Sequence, residues 1–453
     1  MTDDHPNAGG DTIAAIATPP GTGALALIRM SGPEAVAIAR RCMEGAPLEA
    51  RRATLRRVTD TEGSTIDRVV ATCFAGPASF TGEDTVEISC HGGLLVTRRL
   101  LARLLEEGAR PAEPGEFSQR AFLNGKLDLT QAEAVMDVIS AGSDLALRAA
   151  QNQLEGAISR RVGDAADALV RLTAHVEAHI DFPDEDISPD TAQQLLANLA
   201  AIRERLADLL DTADQGRLLR EGVRTAIVGR PNAGKSSLLN ALLGYERAIV
   251  SAVAGTTRDT IEENVHLGGL CLRLIDTAGL HDSRDAVECA GMERSLRAGA
   301  EADLVLEVAD ASLAPDRLDL PETRALRLLI LNKADLGVHP GWNEALRNGA
   351  ILFSCREGTG RAELERTLAG RFVQEHALSS SGGLAAINER HRHALKTAVD
   401  ALDAAAASLD AGVSPELTAL DLRDALDALG TITGRIDTED ILSAVFSQFC
   451  LGK

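Results

Sequence analysis

The sequence predicts a multidomain protein with α+β and α/β parts, and three observations support this fold class. The chain has 453 residues, enough for about three domains. A β-prone run at 223–228 is followed by a glycine-containing loop and an apolar helix-like run, an order typical of a parallel α/β sheet. Apolar residues recur at helical spacings on both sides of that segment. We therefore expect an α/β domain inserted into a discontinuous helical domain.

The N-terminal segment, residues 1–125, is predicted to form an α+β domain. Residues 12–18 and 24–30 alternate in polarity around a proline- and glycine-rich turn, which indicates a β-hairpin. The pattern predicts helices at 34–43 and 94–107 and further strands at 67–75 and 84–90.

Helical periodicity covers residues 126–215 and returns at 385–448. An acidic run at 181–186 interrupts the first block and is interpreted as a loop, and the tract at 379–383 as a linker. One helical domain formed by 126–215 and 378–453, with 216–377 inserted, explains this order, although two separate bundles remain an alternative.

The most specific motif lies inside the inserted segment. The run from Gly229 to Ser236 reads G-R-P-N-A-G-K-S, which fits the phosphate-binding loop between a strand and a helix. Its glycines allow successive backbone N–H groups to face phosphate oxygens, and the helix N-terminus adds positive potential. Lys235 is expected on the phosphates and Ser236 on Mg²⁺.

A second motif, Asn332-Lys333-Ala334-Asp335, follows the apolar run 328–331 and predicts that the nucleobase of the bound nucleotide is guanine. The carboxylate of Asp335 can accept from both N–H groups on the guanine edge, whereas adenine would leave it unpaired. Ser354 and Cys355 occupy the last guanine-contacting loop. Cys355 stands where alanine is usual, and we expect tolerance because the backbone N–H makes the contact.

Two further short sequence motifs lie between the phosphate-binding loop and the N-K-A-D motif. Asp276 is expected to orient Mg²⁺ through water, the Gly279 N–H to face the γ-phosphate, and Thr257 to be the second Mg²⁺ ligand. Together the motifs predict a Ras-like P-loop GTPase domain with a mostly parallel sheet. The expected GTP-binding residues are Asn232, Ala233, Gly234, Lys235, Ser236, Ser237, Ser251, Ala252, Val253, Ala254, Gly255, Thr256, Thr257, Asp276, Thr277, Ala278, Gly279, Asn332, Lys333, Asp335, Ser354 and Cys355.

The residue that orients the attacking water is not obvious from these boxes. Gly279 is followed by Leu280, which cannot polarise water, and by His281, which is a weak candidate. Glu288 is a further candidate, although an acidic residue there also fits a solvated surface.

The motifs as a set resemble the MnmE (TrmE) family of tRNA-modification GTPases. Within the inserted segment these are G-R-P-N-A-G-K-S-S, A-G-T-T-R-D, D-T-A-G-L and N-K-A-D. Outside it, the resemblance includes the start at 11–21, F-T-G-E-D at 80–84, H-G-G at 91–93, the run 114–129 and the ending F-C-L-G-K. The resemblance covers essentially the whole chain.

For GTP hydrolysis, the resemblance implies that K⁺ takes the place of an arginine finger. Its ligands would be the side-chain oxygens of Asn232 and Thr256 and the backbone carbonyls of Ser251 and Val253. Such a cation offsets charge developing between the phosphates. The resemblance further implies that Glu288 orients the attacking water and acts together with Lys235 in catalysis. It also implies that the GTPase domains dimerise across the nucleotide.

For the modification, the resemblance implies that the N-terminal domain binds a tetrahydrofolate derivative, 5-formyl- or methylene-tetrahydrofolate. Arg29, Glu87, Lys126 and Lys453 match the folate-contacting positions, and Cys450 matches a residue required for modification. The family works as a homodimer with an FAD-dependent partner of the MnmG/GidA type, in a heterotetramer. Together they add a carboxymethylaminomethyl or aminomethyl group at C5 of the wobble uridine of certain tRNAs.

The composition of the chain limits the kinds of partner that it can bind by itself. A net charge of −21 and 2% aromatic residues argue against this chain alone being the main RNA-binding component. Seven scattered cysteines indicate reduced thiols, and we expect a cytoplasmic protein with neither leader nor membrane span. Two alternatives stay open: a ribosome-assembly-type GTPase switch, and a folate-dependent aminomethyl-transfer enzyme that GTP merely regulates.

Overall fold

The computed structural model describes residues 10–181, 192–245, 263–275, 302–318, 325–374, 387–435, 439–450 and 452–453. Its backbone divides into two compact units. The first comprises Met1–Met136, Val162–Thr173 and Leu422–Lys453, and the second Asp137–Arg161 and Ala174–Asp421. Helical segments contribute to both units, so the four predicted domain boundaries are not tested by this division and stay a prediction.

The first unit contains a mostly antiparallel sheet with helices along the chain. Its strand order is β3-β4-β5-β6-β2-β1-β7, and the β1–β7 pair is parallel. The strands are β1 (Ile13–Ile16), β2 (Leu25–Ser31), β3 (Met43–Glu44), β4 (Thr54–Thr59), β5 (Thr65–Phe74), β6 (Thr85–His91) and β7 (Arg110–Pro111). The helices are α1 (Ala35–Cys42), α2 (Leu94–Glu106), α3 (Glu116–Leu123) and the beginning of α4 (Leu129–Ser140).

Strand alternation gives this sheet two different faces. On β6, Val86, Ile88 and Cys90 are buried and join a core that includes residues of α1 and α2. The residues between them point to the opposite face, which carries Glu87. The predicted hairpin and the predicted elements at 34–43, 67–75, 84–90 and 94–107 are confirmed.

The second unit contains the α/β sheet that the motifs predict. Its order is β13-β12-β11-β8-β10-β9, with every pair parallel except β9–β10. The strands are β8 (Val223–Gly229), β9 (Glu263–Leu267), β10 (Leu270–Leu274), β11 (Leu304–Asp310), β12 (Leu326–Asn332) and β13 (Ile351–Leu352). The helices along this part of the chain are α8 (Ala213–Glu221), α9 (Lys235–Tyr245), α10 (Asn343–Arg347) and α11 (Arg361–Ala369).

Helices of eight to 25 residues occupy both predicted helical blocks. They are α5 (Asp144–Leu154), α6 (Ala157–Asp181), α7 (Ala192–Asp211), α12 (Glu389–Asp410), α13 (Pro415–Thr433) and α14 (Glu439–Phe446). Ser143 caps α5 by accepting from the Ala146 N–H, and Asn388 caps α12 through the His391 N–H. Within the second unit, Arg203 of α7 pairs with Asp403 of α12. The predicted multidomain α+β and α/β fold class is confirmed, whereas the predicted linker at 379–383 lies outside the described residues.

Across the described ranges, no helix combines the length and apolar character that a membrane span requires.

Leu306 tests the core of the second unit. Its side chain is 0% exposed in β11, so Leu306→Ala should lower the free energy of unfolding of that unit by about 2–5 kcal/mol. Leu313 is 61% exposed, and Leu313→Ala should change it by less than about 0.5 kcal/mol. Urea denaturation of both variants measures the difference, and equal shifts would contradict this core assignment.

Candidate functional site

The phosphate-binding loop connects the end of β8 to the start of α9. Asn232 and Gly234 both take positive φ angles, 61° and 100°, which curl the backbone into a cradle. A Cβ built on Gly234 would lie 2.1 Å from Nδ2 of Asn332, so only glycine fits. A concave loop of N–H groups before a helix suits an anion, and the cradle therefore fits a nucleotide phosphate.

Lys235 folds back over this loop. Its Nζ donates to the carbonyl oxygens of Gly229, at 2.9 Å, and Arg230, at 3.1 Å. The ammonium group is therefore held beside the cradle. Ser236 and Ser237 follow in the first turn of α9, the position from which a hydroxyl can reach a phosphate-bound Mg²⁺.

Asn332 joins three loops. Its Nδ2 donates to the Ala233 carbonyl of the phosphate-binding loop at 3.2 Å. Its Oδ1 accepts from the Cys355 N–H at 3.3 Å. The side chain is buried, so both bonds are shielded from water and fix the guanine loops against the phosphate loop.

Asp335 is held by the following loop. Ser354 Oγ donates to Asp335 Oδ1 at 2.6 Å. Ser354 is itself fully buried and bonded through its backbone N–H to the Thr359 carbonyl at 3.1 Å. Ser354 therefore orients the carboxylate that is predicted to bind guanine.

Lys333 lies between Asn332 and Asp335 in the sequence and has a positive φ of 60°. Its Nζ is 2.7 Å from Oδ2 of Asp310, at the end of β11. Burial alone would raise the pKa of Asp310, but the hydrogen bonds from Lys333 and Ser312 hold that pKa below its usual value. Asp310 was missed by the sequence reasoning. Its signal was an acidic residue at the carboxyl end of a parallel strand, where ligands bind.

Cys355 is half-buried and packs against the core of the second unit. Burial raises the pKa of its thiol, so the thiol behaves as a small apolar group there. Its backbone N–H donates to Asn332 Oδ1, and the expected contact of this N–H with guanine stays a prediction.

Several predicted residues lie outside the described part of the chain, and their roles stay predictions. They are Ser251, Ala252, Val253, Ala254, Gly255, Thr256, Thr257, Asp276, Thr277, Ala278, Gly279 and Glu288.

A second cluster lies on the face of the first unit's sheet that carries Glu87. Arg29 and Glu87 are register partners on β2 and β6, and Nε and Nη2 of Arg29 donate to Glu87 Oε1 at 3.0 and 2.8 Å. The guanidinium carbon lies 5.4 Å from the Phe80 ring centroid and 5.8 Å from that of Phe117. The guanidinium of this ion pair is thus within cation–π distance of two aromatic rings.

The C-terminal residues close this cluster. Burial lowers the pKa of the Lys453 ammonium group, and the positive charge of Arg29 lowers it further, whereas Glu87 acts in the opposite direction. Gly452 has a φ of 90°, and a Cβ there would lie 2.6 Å from Cα of Ala17. Arg29, Glu87 and Lys453 are therefore neighbours, although they are far apart in sequence.

Lys126 and Cys450 lie at the edges of this second cluster. Lys126 is exposed, and its Nζ donates to the Pro77 carbonyl at 3.0 Å, in the loop that carries Phe80. Cys450 is also exposed, and its carbonyl accepts from the Lys453 N–H at 3.3 Å. Their assignment to a folate site stays a prediction.

The fold and the loops of the second unit define the class first: this is a P-loop protein with a guanine-recognition loop. Comparisons with known proteins then give the family. The model of the MnmE helical domain matches residues 129–450, and that of the GTP-binding protein TrmE N-terminus matches residues 12–126. The chain belongs to the MnmE (TrmE) family.

Individual relatives are similar in sequence to this chain over nearly its full length. The tRNA modification GTPase MnmE of Akkermansia muciniphila is 59% identical over 447 residues, 98% of this chain and 99% of that protein. The protein of the same name from Opitutus terrae is 46% identical over 455 residues, 98% of this chain and 99% of that protein. Among solved structures, the G domain of the T. maritima FeoB iron transporter covers 34% of this chain and 98% of its own, at 23% identity and a TM-score of 0.24, too low to bear on function.

Gly234 tests the phosphate cradle. Gly234→Ala places a methyl group against Asn332 at a positive φ, so guanine-nucleotide affinity should fall at least about tenfold, or about 1.4 kcal/mol. Gly244→Ala, in open space on α9, is the matched control and should leave affinity unchanged. Titration with a fluorescent GDP analogue measures both, and an unchanged Gly234→Ala would contradict the site.

Proposed function

We propose that this chain is a GTPase that acts in tRNA modification. The observation that carries the GTP part is the pair of hydrogen bonds from buried Asn332, which joins the phosphate loop to the guanine loop. GTP would contact the phosphate loop with its phosphates and the guanine loop with its base, and Asn332 holds these two loops side by side. The tRNA part rests on family membership and on relatives named tRNA modification GTPases.

The described residues have clear roles toward GTP. The N–H groups of the loop around Gly234 bind phosphate oxygens, Lys235 neutralises them, and Ser236 is a ligand for Mg²⁺. Asp335 accepts from the guanine edge, with Ser354 orienting its carboxylate. When bound, Mg²⁺ supplies charge neutralisation between the phosphates.

We further propose that hydrolysis depends on K⁺ and on Glu288. Asn232 supports this, because it lies at the left-handed turn of the phosphate loop with an exposed side chain. The remaining ligands would be Ser251, Val253 and Thr256, with Glu288 orienting water. In this proposal, GTPase domains of a homodimer face each other across the nucleotide.

The second cluster is proposed to bind a tetrahydrofolate derivative. Glu87 offers a carboxylate to the donor-rich face of a pterin, and Arg29 and Lys453 offer donors to its carbonyl side. The half-buried ring of Phe80 beside Arg29 suits a flat ligand, whereas the fully buried ring of Phe117 supports Arg29 from the core. When bound, methylene-tetrahydrofolate would supply the one-carbon unit, and Cys450 lies close enough in sequence to Lys453 to belong to the same site.

The proposed partner is an FAD-dependent protein of the MnmG/GidA type. With it, the chain would add a carboxymethylaminomethyl or aminomethyl group at C5 of the wobble uridine of certain tRNAs. The acidic balance of the chain supports a division of labour in which the partner supplies much of the RNA contact. A ribosome-assembly switch gains no support from the family comparisons, which match both flanking segments.

GTP hydrolysis in K⁺ against Na⁺ tests the cation and Glu288 together. The wild-type rate should be at least about tenfold higher in K⁺. A cation that offsets the developing charge and so lowers the activation free energy by about 1.4 kcal/mol gives that factor. Glu288→Ala should lower the K⁺ rate by about 100-fold or more, since the water loses its orienting base. Exposed Glu344→Ala is the control and should keep the wild-type rate. Equal rates in both salts would reject the cation site.

A deletion strain tests the modification itself. Mass spectrometry of tRNA nucleosides should show loss of the modified wobble uridine, restored by the wild-type chain and by Gly244→Ala but not by Lys235→Ala. The tagged wild-type chain should also co-purify with a flavin-containing protein. Unchanged wobble uridines in the deletion strain would remove tRNA modification from the proposal.

A further inference from the structure

The backbone of Arg51 is unusual. Among the described residues, three that are not glycine have a positive φ: Asn232, Lys333 and Arg51 at 62°. The first two form the nucleotide loops of the second unit. Such backbone conformations are costly for L-residues and concentrate at functional sites. Arg51 therefore marks a place in the first unit where a side chain is held in a required direction.

The side chain of Arg51 is directed at the loop 75–84. Its Nη2 donates to the Ala78 carbonyl at 2.7 Å, and Lys126 Nζ donates to the adjacent Pro77 carbonyl at 3.0 Å. Consecutive Cα atoms are about 3.8 Å apart, so the two cations lie near each other. Both side chains are exposed.

These two cations are paired differently from Arg52 and Arg57, whereas Arg56 likewise donates to backbone carbonyls. Arg52 pairs with the Glu49 carboxylate at 2.9 Å, and Arg57 pairs with Glu44. Within the described ranges, neither Arg51 nor Lys126 has a carboxylate at ion-pair distance. Both donate to neutral carbonyl oxygens, which an anionic ligand can replace at little cost.

The same loop leads to the Arg29–Glu87 pair. Phe80, two residues after Ala78, lies against the Arg29 guanidinium. The Arg51 N–H bonds the Cys73 carbonyl of β5, and β5 is followed by β6 and then β2. Three strand spacings of about 4.8 Å place the Arg51 backbone roughly 14 Å from that of Arg29. The cations thus form an outer end to the site.

The charge of the surrounding chain favours an anion here. Residues 10–126 carry 14 basic and 14 acidic side chains, whereas the whole chain has 46 basic and 67 acidic. An anionic ligand is therefore repelled less by this segment than by the rest of the protein.

We propose that Arg51 and Lys126 form a carboxylate-binding rim for the glutamate end of the reduced folate, so that the chain prefers folates with a poly-γ-glutamate tail. This inference rests on the proposed folate function. A folate has a donor-rich pterin at one end and carboxylates at the other, and each added glutamate contributes one more carboxylate. The site has the matching polarity, with Glu87 at the inner end and two cations at the outer end. The guanidinium fork suits carboxylates in particular.

Calorimetric titration of the full-length chain with mono- and triglutamyl 5-formyl-tetrahydrofolate tests this inference. The wild type should bind the triglutamate about fivefold more tightly, the scale of one or two exposed ion pairs. Arg51→Asn removes the cation while keeping a residue that tolerates the left-handed conformation, and should reduce the ratio to below about twofold. The readout is a ratio of two affinities on one protein, so a fraction of misfolded protein leaves it unchanged.

Two further variants sharpen the result. Arg52→Asn, adjacent and exposed but paired with Glu49, is the matched control and should keep the wild-type ratio. Arg51→Lys keeps the cation and should retain part of the preference. Raising the salt concentration should reduce the wild-type ratio, since exposed charges are screened.

The failures are distinguishable. Equal wild-type affinities for the two folates, or a preference that survives in Arg51→Asn, would overturn the rim while leaving the folate site intact. No measurable binding of either folate would overturn the proposed folate function, and the rim with it.

Discussion

The two hydrogen bonds of Asn332 are the constraint on which the nucleotide site depends. A buried amide can satisfy its donor and its acceptor only if both neighbouring loops are in place, and here they are the phosphate loop and the Cys355 loop. The same amide leaves no room for a side chain at position 234. The two loops are therefore not independent in position, because one side chain joins them. Parallel strands make this possible, since β8 and β12 deliver their loops to the same edge of the sheet.

The first unit solves a similar problem with an antiparallel register. Arg29 and Glu87 face each other because β2 and β6 pair residue for residue, and the opposite faces of both strands are buried in the core. A one-residue slip would move the ion pair into that core, at a large desolvation cost. The position of the ion pair is therefore secured by the apolar residues beside it. The C-terminus then reaches the pair through Gly452, which fits against Ala17 only because it lacks a side chain.

Sequence reasoning found what is encoded locally and missed what depends on tertiary neighbours. The phosphate loop and the N-K-A-D box have fixed spacings behind apolar strands, and their strands and helix appear where the pattern predicts them. Strand β4 was not predicted, because Val58 is its one buried residue and the apolar Leu55 is exposed, which leaves no clean alternation. Helix α3 was not predicted, because it buries only two apolar residues, Phe117 and Ala121, whereas α1, which is equally long, buries four. The Lys333–Asp310 pair and the approach of Arg51 to Ala78 join residues 23 and 27 positions apart, which no local spacing predicts.

Two cations of the first unit share one property. Arg51 and Lys126 donate to backbone carbonyls, which are neutral, so each retains its full charge while being held in position. An ion pair with a carboxylate would cancel that charge and would have to be broken before an anion could bind. A carbonyl partner costs less to exchange and still restricts the rotamer, which reduces the entropy lost on binding. In an acidic chain, this arrangement lets a few basic residues attract anions strongly at defined points.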